Sequence, residues 1–334
     1  MLGQPTADAA PAALRQIIRH LAHANYRFTT TTPLTHQRVL AQRGLSTLPL
    51  ATNLRDVFGW NLPFKASGCS GMTHELLAAM RGAGVLHAKG DVLQSRVRVA
   101  SIDNDLFVHS AYPTTQADAV FFGPDTYRFA RFIQQGIASM PSTFGAPMRL
   151  LDVGCGSGAG GMVAARALSM LLPGTPLEIS MNDINPLALR YTAVNATAAG
   201  IAFKLALGNA LRAVKGEFDL IISNPPYLED AGKRAYRHGG AGLGRALSVQ
   251  IGEEAIGRLT PGGRLLLYTG VAIVGGVDAF LADMQPLLAD PQLDWCYSEI
   301  DPDVFGEELD QPAYRHVDRI AAVGLTVTRK RHAQ

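Results

Sequence analysis

The chain has 334 residues, of which 47% are hydrophobic and 17% charged, with 34 glycines and 19 prolines. So much apolar content can offset the entropy lost on folding, which excludes a disordered chain, and the glycines and prolines follow no period, which excludes a collagen-like one. The three cysteines, Cys69, Cys155 and Cys296, are widely separated and form no C-x-x-C pair. Neither a disulfide framework nor a thiolate zinc site is therefore predicted.

The formal net charge of +2 is distributed unevenly along the chain. Residues 1–147 hold 13 Lys and Arg against 8 Asp and Glu, and the remainder holds 17 against 20. The basic excess of the first part is compatible with a polyanionic partner and with an ordinary solvated surface. The histidines form no metal-ligand pattern, so no metal is predicted. The chain start lacks a secretory signal, and about 18 unbroken apolar residues occur nowhere, which predicts a soluble cytoplasmic protein.

Helices followed by a strand pair are predicted in the first part of the chain. Over residues 10–24, apolar side chains recur at the i, i+3, i+4, i+7 spacing of an amphipathic helix. Shorter helical stretches are predicted near 35–43 and 52–58, and another helix is predicted at 73–81. Two apolar runs, 92–102 and 106–110, are joined by Asp-Asn-Asp, a hairpin signal. This order predicts a helical, winged-helix-like domain over residues 1–118 that recognises the substrate.

The second part alternates strands and helices. Strands are predicted at 149–154, 176–183, 202–207, 218–224, 264–270, 294–300 and 319–330, and helices at 125–139, 160–172, 186–199, 245–259 and 277–288. Such alternation predicts a parallel sheet with helices on both faces. The last two strands lack a crossover helix between them and should be antiparallel. The sequence therefore predicts an α/β, Rossmann-like domain over residues 119–334.

A glycine-rich loop, DVGCGSG (152–158), follows the first of these strands. Gly154, Gly156 and Gly158 let the backbone turn tightly and approach a ligand without a Cβ in the way, with Cys155 among them. The following residues also satisfy the dinucleotide motif G-x-G-x-x-G. Asp152, however, would bring a carboxylate near a pyrophosphate, which is unfavourable. The same carboxylate suits the ammonium and sulfonium of S-adenosylmethionine, which is the predicted cofactor.

Two polar residues after the next strands agree with an adenosine-containing ligand. Asp183 ends the second strand, where a carboxylate can accept hydrogen bonds from both ribose hydroxyls, as in dinucleotide-binding folds. Asp183 can also cap the helix that follows it. Asn209 follows the third strand and can bind the adenine amino group or simply form a turn. Both residues are predicted to contact the donor.

The segment Asn224-Pro225-Pro226-Tyr227 ends the fourth strand. Paired prolines cannot continue a central strand, and they stiffen the loop and leave carbonyls without a local partner. A substrate NH₂ group could donate to the side-chain oxygen of Asn224 and the carbonyl of Pro225. Tyr227 supplies an aromatic face for a planar amide or base. These four residues are the predicted catalytic group, which would act by alignment, with Asn224 also close to the donor.

Residues 120–330 resemble the class I S-adenosylmethionine-dependent methyltransferases of the N-P-P-Y type. The resemblance rests on LDVGCGSGAGG, SMNDINPLALRYTAVNA, GNA and FDLIISNPPY, which occur in this order. It implies a seven-stranded sheet with an antiparallel last strand. It also implies methylation of nitrogen in a planar group, either a protein glutamine amide or an exocyclic amine of adenine or guanine.

Within this type, two segments resemble the release-factor glutamine methyltransferases. Gly239-Gly240 follows the N-P-P-Y segment, and Pro124-Asp125 precedes the glycine loop where that family lines its active site. Pro124 and Asp125 equally suit a helix start. The family has Arg-Pro where this chain has Gly123-Pro124, and a glutamate where it has Thr269. A protein substrate (a translation factor or ribosomal protein) is the first expectation. An adenine or guanine of ribosomal or transfer RNA (or of DNA) is the second, and a dinucleotide-dependent oxidoreductase is the third.

Overall fold

The computed structural model describes residues 9–42, 50–114, 116–141, 145, 147–230, 232, 234 and 236–331. These residues group into two compact units. The first comprises the described residues of 1–115, 119–127 and 190–201, and the second those of 116–118, 128–189 and 202–334. The domain boundary predicted between 118 and 119 stays a prediction. In the described part of the chain, no helix has the length and apolar character to cross a membrane.

The first unit begins with helices, as predicted. They are α1 (Ala9–His23), α2 (Pro33–Gln42), α3 (Leu54–Phe58) and α4 (His74–Gly82). The predicted apolar face of α1 is buried, with Ile17 and Leu21 fully covered. The α4 helix begins where the Thr73 side chain accepts a hydrogen bond from the backbone N–H of Leu76, the usual role of an N-cap threonine.

Two hairpins follow: β1 (Leu86–Lys89) with β2 (Val92–Ser95), and β3 (Val97–Ile102) with β4 (Asp105–Ser110). The turn predicted between β3 and β4 is present. The prediction of one continuous run over 92–102 is wrong, because the Ser95 hydroxyl donates to the Val97 carbonyl and accepts from its N–H. These local bonds compete with strand pairing and separate β2 from β3.

The remaining elements carry the strand and helix alternation predicted from the sequence. They are α5 (Pro124–Ala138), β5 (Met148–Val153), α6 (Ala159–Leu171), β6 (Leu177–Asp183), α7 (Pro186–Ala198), β7 (Lys204–Leu207), β8 (Phe218–Ser223), α8 (Ala246–Ile256), β9 (Leu259–Val274), β10 (Val277–Asp278), α9 (Ala279–Leu288), β11 (Leu293–Asp301) and β12 (Arg319–Arg329). Two short 3₁₀ turns, Gly306–Asp310 and Pro312–Tyr314, lie between β11 and β12.

The main sheet has the strand order β11-β12-β9-β8-β5-β6-β7, with β10 paired to β9. Strands β7, β6, β5, β8 and β9 are parallel, and β12 runs antiparallel to both β9 and β11. The predicted Rossmann-like sheet with an antiparallel last strand is confirmed. Its central strands read as continuous apolar runs because helices cover both faces, and Leu150, Ile221 and Leu265 are fully buried.

One strand is longer than the sequence predicts. Over 259–263 the sequence predicts a helix end and a break, yet β9 already begins at Leu259. Phe218 pairs with Leu259, and Leu220 pairs with Arg264, so Pro261, Gly262 and Gly263 fall within an irregularity of the β8–β9 ladder. A bulge of this kind accommodates proline and glycine inside a strand.

Candidate active site

The glycine loop connects β5 to α6 through three left-handed glycines. Gly154, Gly156 and Gly158 have φ values of 72°, 56° and 80°, a region in which other L-residues are strained. Gly158 is the N-cap of α6 and accepts from the N–H of Met162 at 3.0 Å. A Cβ on Gly154 or Gly156 would meet no atom within 4 Å, so that side of the loop is open to a ligand.

Asp152 lies inside the protein rather than on the loop surface. The residue is only 1% exposed, and its Oδ2 accepts from the backbone N–H of Gly161 at 2.7 Å. Burial raises the pKa of this carboxyl to about 7. The Asp152 carboxylate thus holds the first turn of α6 in place, and its contact with the donor's charged groups stays a prediction.

Asp183 joins the end of β6 to the glycine loop. Its Oδ2 accepts from the N–H of Gly156 at 2.9 Å, and its Oδ1 accepts from the N–H of Asn185 at 2.8 Å. Burial raises the pKa of the carboxyl. The carboxylate retains lone-pair capacity for a ligand hydroxyl. Ile184, the next residue, is a large apolar side chain that is 58% exposed.

Asn182 is not among the site residues predicted from the sequence, but it organises the same edge of the sheet. Its side-chain amide donates to the carbonyls of Gly208 at 3.2 Å and Ala210 at 2.6 Å. The turn after β7 is therefore attached to the end of β6. The predicted residue Asn209 lies in this turn between the two carbonyls, and it is exposed.

The N-P-P-Y segment starts where β8 ends beside β5. The buried Ser223 hydroxyl donates to the carbonyl of Val153 at 2.8 Å, which ties the two strand ends together. Asn224 follows directly and is half-buried, and Pro225 is buried. The donor loop and the predicted catalytic segment thus emerge from neighbouring parallel strands at the same sheet edge, where α/β proteins commonly bind ligands.

The Tyr227 ring is enclosed by two other elements. A Cβ on Gly270 of β9 would lie 2.2 Å from a carbon of this ring, so only glycine fits there. The Phe305 ring meets the Tyr227 ring edge-on, with centroids 5.8 Å apart. The Tyr227 hydroxyl is buried and has no hydrogen-bond partner among the described residues.

The glycines after this segment pack on its backbone. We define residues 224–238 as the acceptor loop. A Cβ on Gly239 would lie 1.9 Å from the Gly244 carbonyl oxygen and 2.5 Å from that of Pro226, whereas the φ of Gly240 is 89°. Both glycines are therefore required by local geometry, and a direct contact with substrate stays a prediction.

Pro124 and Asp125 form the first turn of α5 in the first unit. Asp125 is 4% exposed. The N–H of Gly123 donates to the Thr126 hydroxyl at 3.3 Å, and the N–H of Thr126 donates to the Gly123 carbonyl at 3.0 Å. The helix start expected here is confirmed, and the substrate role of both residues stays a prediction.

Arginines of the acceptor loop are paired with carboxylates. Arg234 forms hydrogen bonds to Asp230 from its backbone N–H at 2.9 Å and from its Nε at 3.0 Å, and its guanidinium forms an ion pair with the same residue. Arg237 forms ion pairs with Asp230 and with Glu308. The Arg234 guanidinium lowers the pKa of Asp230 to about 2.

Part of the chain matches a known protein family. Residues 135–270 match the family model of the methyltransferase small domain. The match covers less than half of the chain. The match confirms the expected resemblance to S-adenosylmethionine-dependent methyltransferases over this part of the chain, and S-adenosylmethionine is the methyl donor of such enzymes, as predicted.

Curated relatives of this domain differ in the substrates that their names state. The release factor glutamine methyltransferase of Deinococcus radiodurans is 32% identical over 165 residues, which cover 48% of this chain and 55% of that protein. The same-named protein of Rhodospirillum rubrum is 37% identical over 34% of this chain and 32% of its own length. Ribosomal RNA small subunit methyltransferase C of Serratia proteamaculans is 38% identical over 24% and 21%. The chain spans about half the length of the Deinococcus radiodurans protein and a smaller share of the other two.

Proposed function

We propose that the protein transfers a methyl group from S-adenosylmethionine to the nitrogen of a planar amide, specifically a glutamine side chain in a protein. The observation that carries this proposal is the position of Asn224 and Pro225 at the end of β8, next to the glycine loop at the end of β5. Two hydrogen-bond acceptors for an NH₂ group are thereby held beside a loop suited to the donor.

On the donor side, the described residues fit the cofactor. The glycine loop has an open side at Gly154 and Gly156, where the donor's methionine part can approach the backbone. Asp183 would accept from the ribose hydroxyls through its remaining lone pairs. The exposed Ile184 side chain would cover one face of the adenine ring, and Asn209 would bind its amino group. Bound S-adenosylmethionine would supply the methyl group.

On the acceptor side, the role of the chain would be to orient the substrate nitrogen. The Asn224 side-chain oxygen and the Pro225 carbonyl would accept the two hydrogens of the substrate NH₂ group. This would place the nitrogen for in-line attack on the methyl carbon. The N–C bond would form as the S–C bond of the donor breaks, S-adenosylhomocysteine would leave, and the methylated nitrogen would release one proton to solvent. Such orientation is a large part of the barrier reduction in bimolecular transfers. Tyr227, held by Gly270 and Phe305, would support the planar group from one side.

Three described arginines at and beside the acceptor loop favour a protein over RNA. Recognition of a nucleic-acid backbone depends on Lys and Arg that neutralise phosphates. Arg234 and Arg237 are already paired with Asp230 and Glu308, and Arg245 pairs with Asp283 at 2.6 Å. A phosphate would have to compete with these carboxylates. The release factor named for two relatives supports the same choice.

An exocyclic amine of an RNA base is the second candidate. The relative named for ribosomal RNA methylation and the basic excess of residues 1–147 favour it. A dinucleotide-dependent oxidoreductase, the third expectation from the sequence, has no support from the domain match.

The decisive experiment is transfer of labelled methyl groups from S-adenosylmethionine into an extract of cells. We expect label that protease releases and ribonuclease does not. Label that ribonuclease releases would instead establish the RNA candidate and overturn the glutamine proposal. Binding of NAD rather than S-adenosylhomocysteine in calorimetry would overturn methyl transfer altogether.

The role of Asn224 is tested in the same assay. Asn224→Ala should bind S-adenosylhomocysteine as the wild type does and lose most of the transfer rate, on the order of 10²-fold. Asp219→Asn is the control, because Asp219 accepts from the N–H of Arg149 at the opposite end of the sheet. Equal losses of binding and transfer in Asn224→Ala would contradict the assigned role.

A further inference from the structure

The connection between β11 and β12 contacts the acceptor loop at several points. We define residues 305–314 as the clamp segment. Phe305 meets Tyr227 edge-on at 5.8 Å, Glu308 forms an ion pair with Arg237, and the Tyr314 phenol oxygen accepts from the N–H of Glu229 at 2.7 Å. One short segment thus contacts the acceptor loop at three described residues, Tyr227, Glu229 and Arg237.

The two carboxylates that pair with Arg237 are buried. The side chains of Asp230 and Glu308 are 6% and 7% exposed, and Arg237 between them is 23% exposed. Removing one member of such a buried group leaves a buried charge without its partner. The resulting loss of stability is larger than the loss on breaking an exposed ion pair. The arrangement therefore strongly favours one position of the loop relative to the clamp segment.

The backbone of the clamp segment is itself constrained. Phe305 has a φ of 52°, in the left-handed region that a bulky side chain seldom occupies. Tyr314 is 1% exposed, and burial raises the pKa of its phenol, so the group stays protonated and uncharged. Strained residues of this kind persist where the surrounding structure over-determines them, commonly at functional sites.

We propose that the clamp segment positions the acceptor loop for methyl transfer, with Glu308 and Tyr314 as positioning residues. This inference rests on the proposed function. Glu308 acts through Arg237, and Tyr314 acts through the backbone of Glu229. Together they hold the chain that follows Asn224 and Pro225, so that both acceptor oxygens keep the direction that the substrate NH₂ group requires.

The experiment compares Tyr314→Phe, Glu308→Ala and Glu308→Gln with the exposed neighbour variant Glu307→Gln as the control. Single-turnover transfer is measured with the methyl-accepting fraction of cell extract. Affinity at the donor site is measured by binding of S-adenosylhomocysteine. Amide hydrogen exchange is followed over residues 227–238. We expect Tyr314→Phe and Glu308→Ala to transfer on the order of 10-fold to 10²-fold more slowly and to exchange faster, with donor affinity unchanged. Glu308→Gln keeps a hydrogen-bonding oxygen and should retain an intermediate rate.

A double variant tests whether the ion pair acts as one unit. Arg237→Ala combined with Glu308→Ala should slow transfer by less than the product of the two single losses, since the pair is broken by either change.

For the single variants, faster exchange with a wild-type transfer rate would mean that the contact is structural only, and it would overturn the proposal. Unchanged exchange and rate would do the same. A wild-type protein that transfers no methyl group would overturn the proposed function itself.

Discussion

The Tyr227 ring lies directly against the Cα of Gly270, so that a Cβ at position 270 would fall 2.2 Å from a ring carbon. Strand β9, which carries Gly270, thereby determines where the aromatic residue of the N-P-P-Y segment can sit.

Substituting Gly270 should therefore damage transfer without touching the donor loop. In Gly270→Ala the Tyr227 ring must move, which we expect to slow transfer by on the order of 10-fold and to cost about 1–3 kcal/mol of unfolding free energy. Transfer kinetics and urea unfolding measure both effects. In the control Gly68→Ala the new Cβ meets nothing within 4 Å. A Gly270→Ala protein with wild-type transfer would show that the ring position is unimportant.

Gly239 should tolerate substitution even less. The atoms around it belong to the backbone, with the Gly244 carbonyl oxygen 1.9 Å from an added Cβ, and backbone cannot rotate away as a side chain can. Gly239→Ala should displace the acceptor loop and abolish most transfer, with a loss of about 1–3 kcal/mol in stability. Gly257→Ala is the matched control, because φ is −65° there and the nearest atom is 3.8 Å away. Equal behaviour of the two variants would contradict this account.

Asp183 should determine donor affinity. Asp183→Ala removes the acceptor of the Gly156 N–H and the proposed ribose contact, and a hydrogen bond to a charged group contributes about 1.5–3 kcal/mol. We expect S-adenosylhomocysteine to bind at least about tenfold more weakly, as calorimetry would measure. Asp219→Ala, at the other end of the sheet, should bind normally. Undiminished affinity of Asp183→Ala would remove this residue from the donor site.

Asp152 should make the stability of the protein depend on pH. Burial raises the pKa of its carboxyl to about 7, whereas an aspartate in an unfolded chain has a pKa of about 3.9. The folded protein therefore retains a proton that the unfolded chain has lost between these values. Its contribution to the free energy of unfolding is fully present below about pH 4 and declines as the pH rises through about 7.

Asp152→Asn lacks this titration and is the direct comparison. Urea unfolding of both proteins between about pH 4 and pH 8 should show the wild type losing stability relative to the variant as the pH rises. Parallel pH profiles would mean that Asp152 keeps an ordinary pKa in the folded protein.

Much of the catalytic domain could be predicted because its signals are local. The strand and helix periodicities predict the elements of the parallel sheet, and positive φ values at Gly154, Gly156 and Gly158 follow from a tight strand-to-helix turn. Locally ambiguous signals mislead instead. Pro261 and the glycines after it resemble a helix end. In the structure, β8 pairs with β9 on both sides of these residues, and β12 pairs with β9 from Arg264 onward, so β9 extends through them.

Contacts distant in sequence could not be predicted. Nothing near Asn182 announces its bonds to Gly208 and Ala210, and Phe305 follows no motif, although it lies against Tyr227. The sequence around Gly270 indicates a strand end, but it contains no sign of the aromatic ring that this glycine accommodates.

The sequence by itself determined the alternation of strands and helices, the tight glycine loop and the rigid N-P-P-Y turn, because backbone preferences and apolar periodicity act over a few residues. Only the tertiary structure decided which side chains surround these segments. It buried the Asp152 carboxylate against α6, closed the clamp segment on the acceptor loop and pressed Tyr227 onto Gly270. Such contacts depend on how whole elements pack, where close packing leaves room for one arrangement.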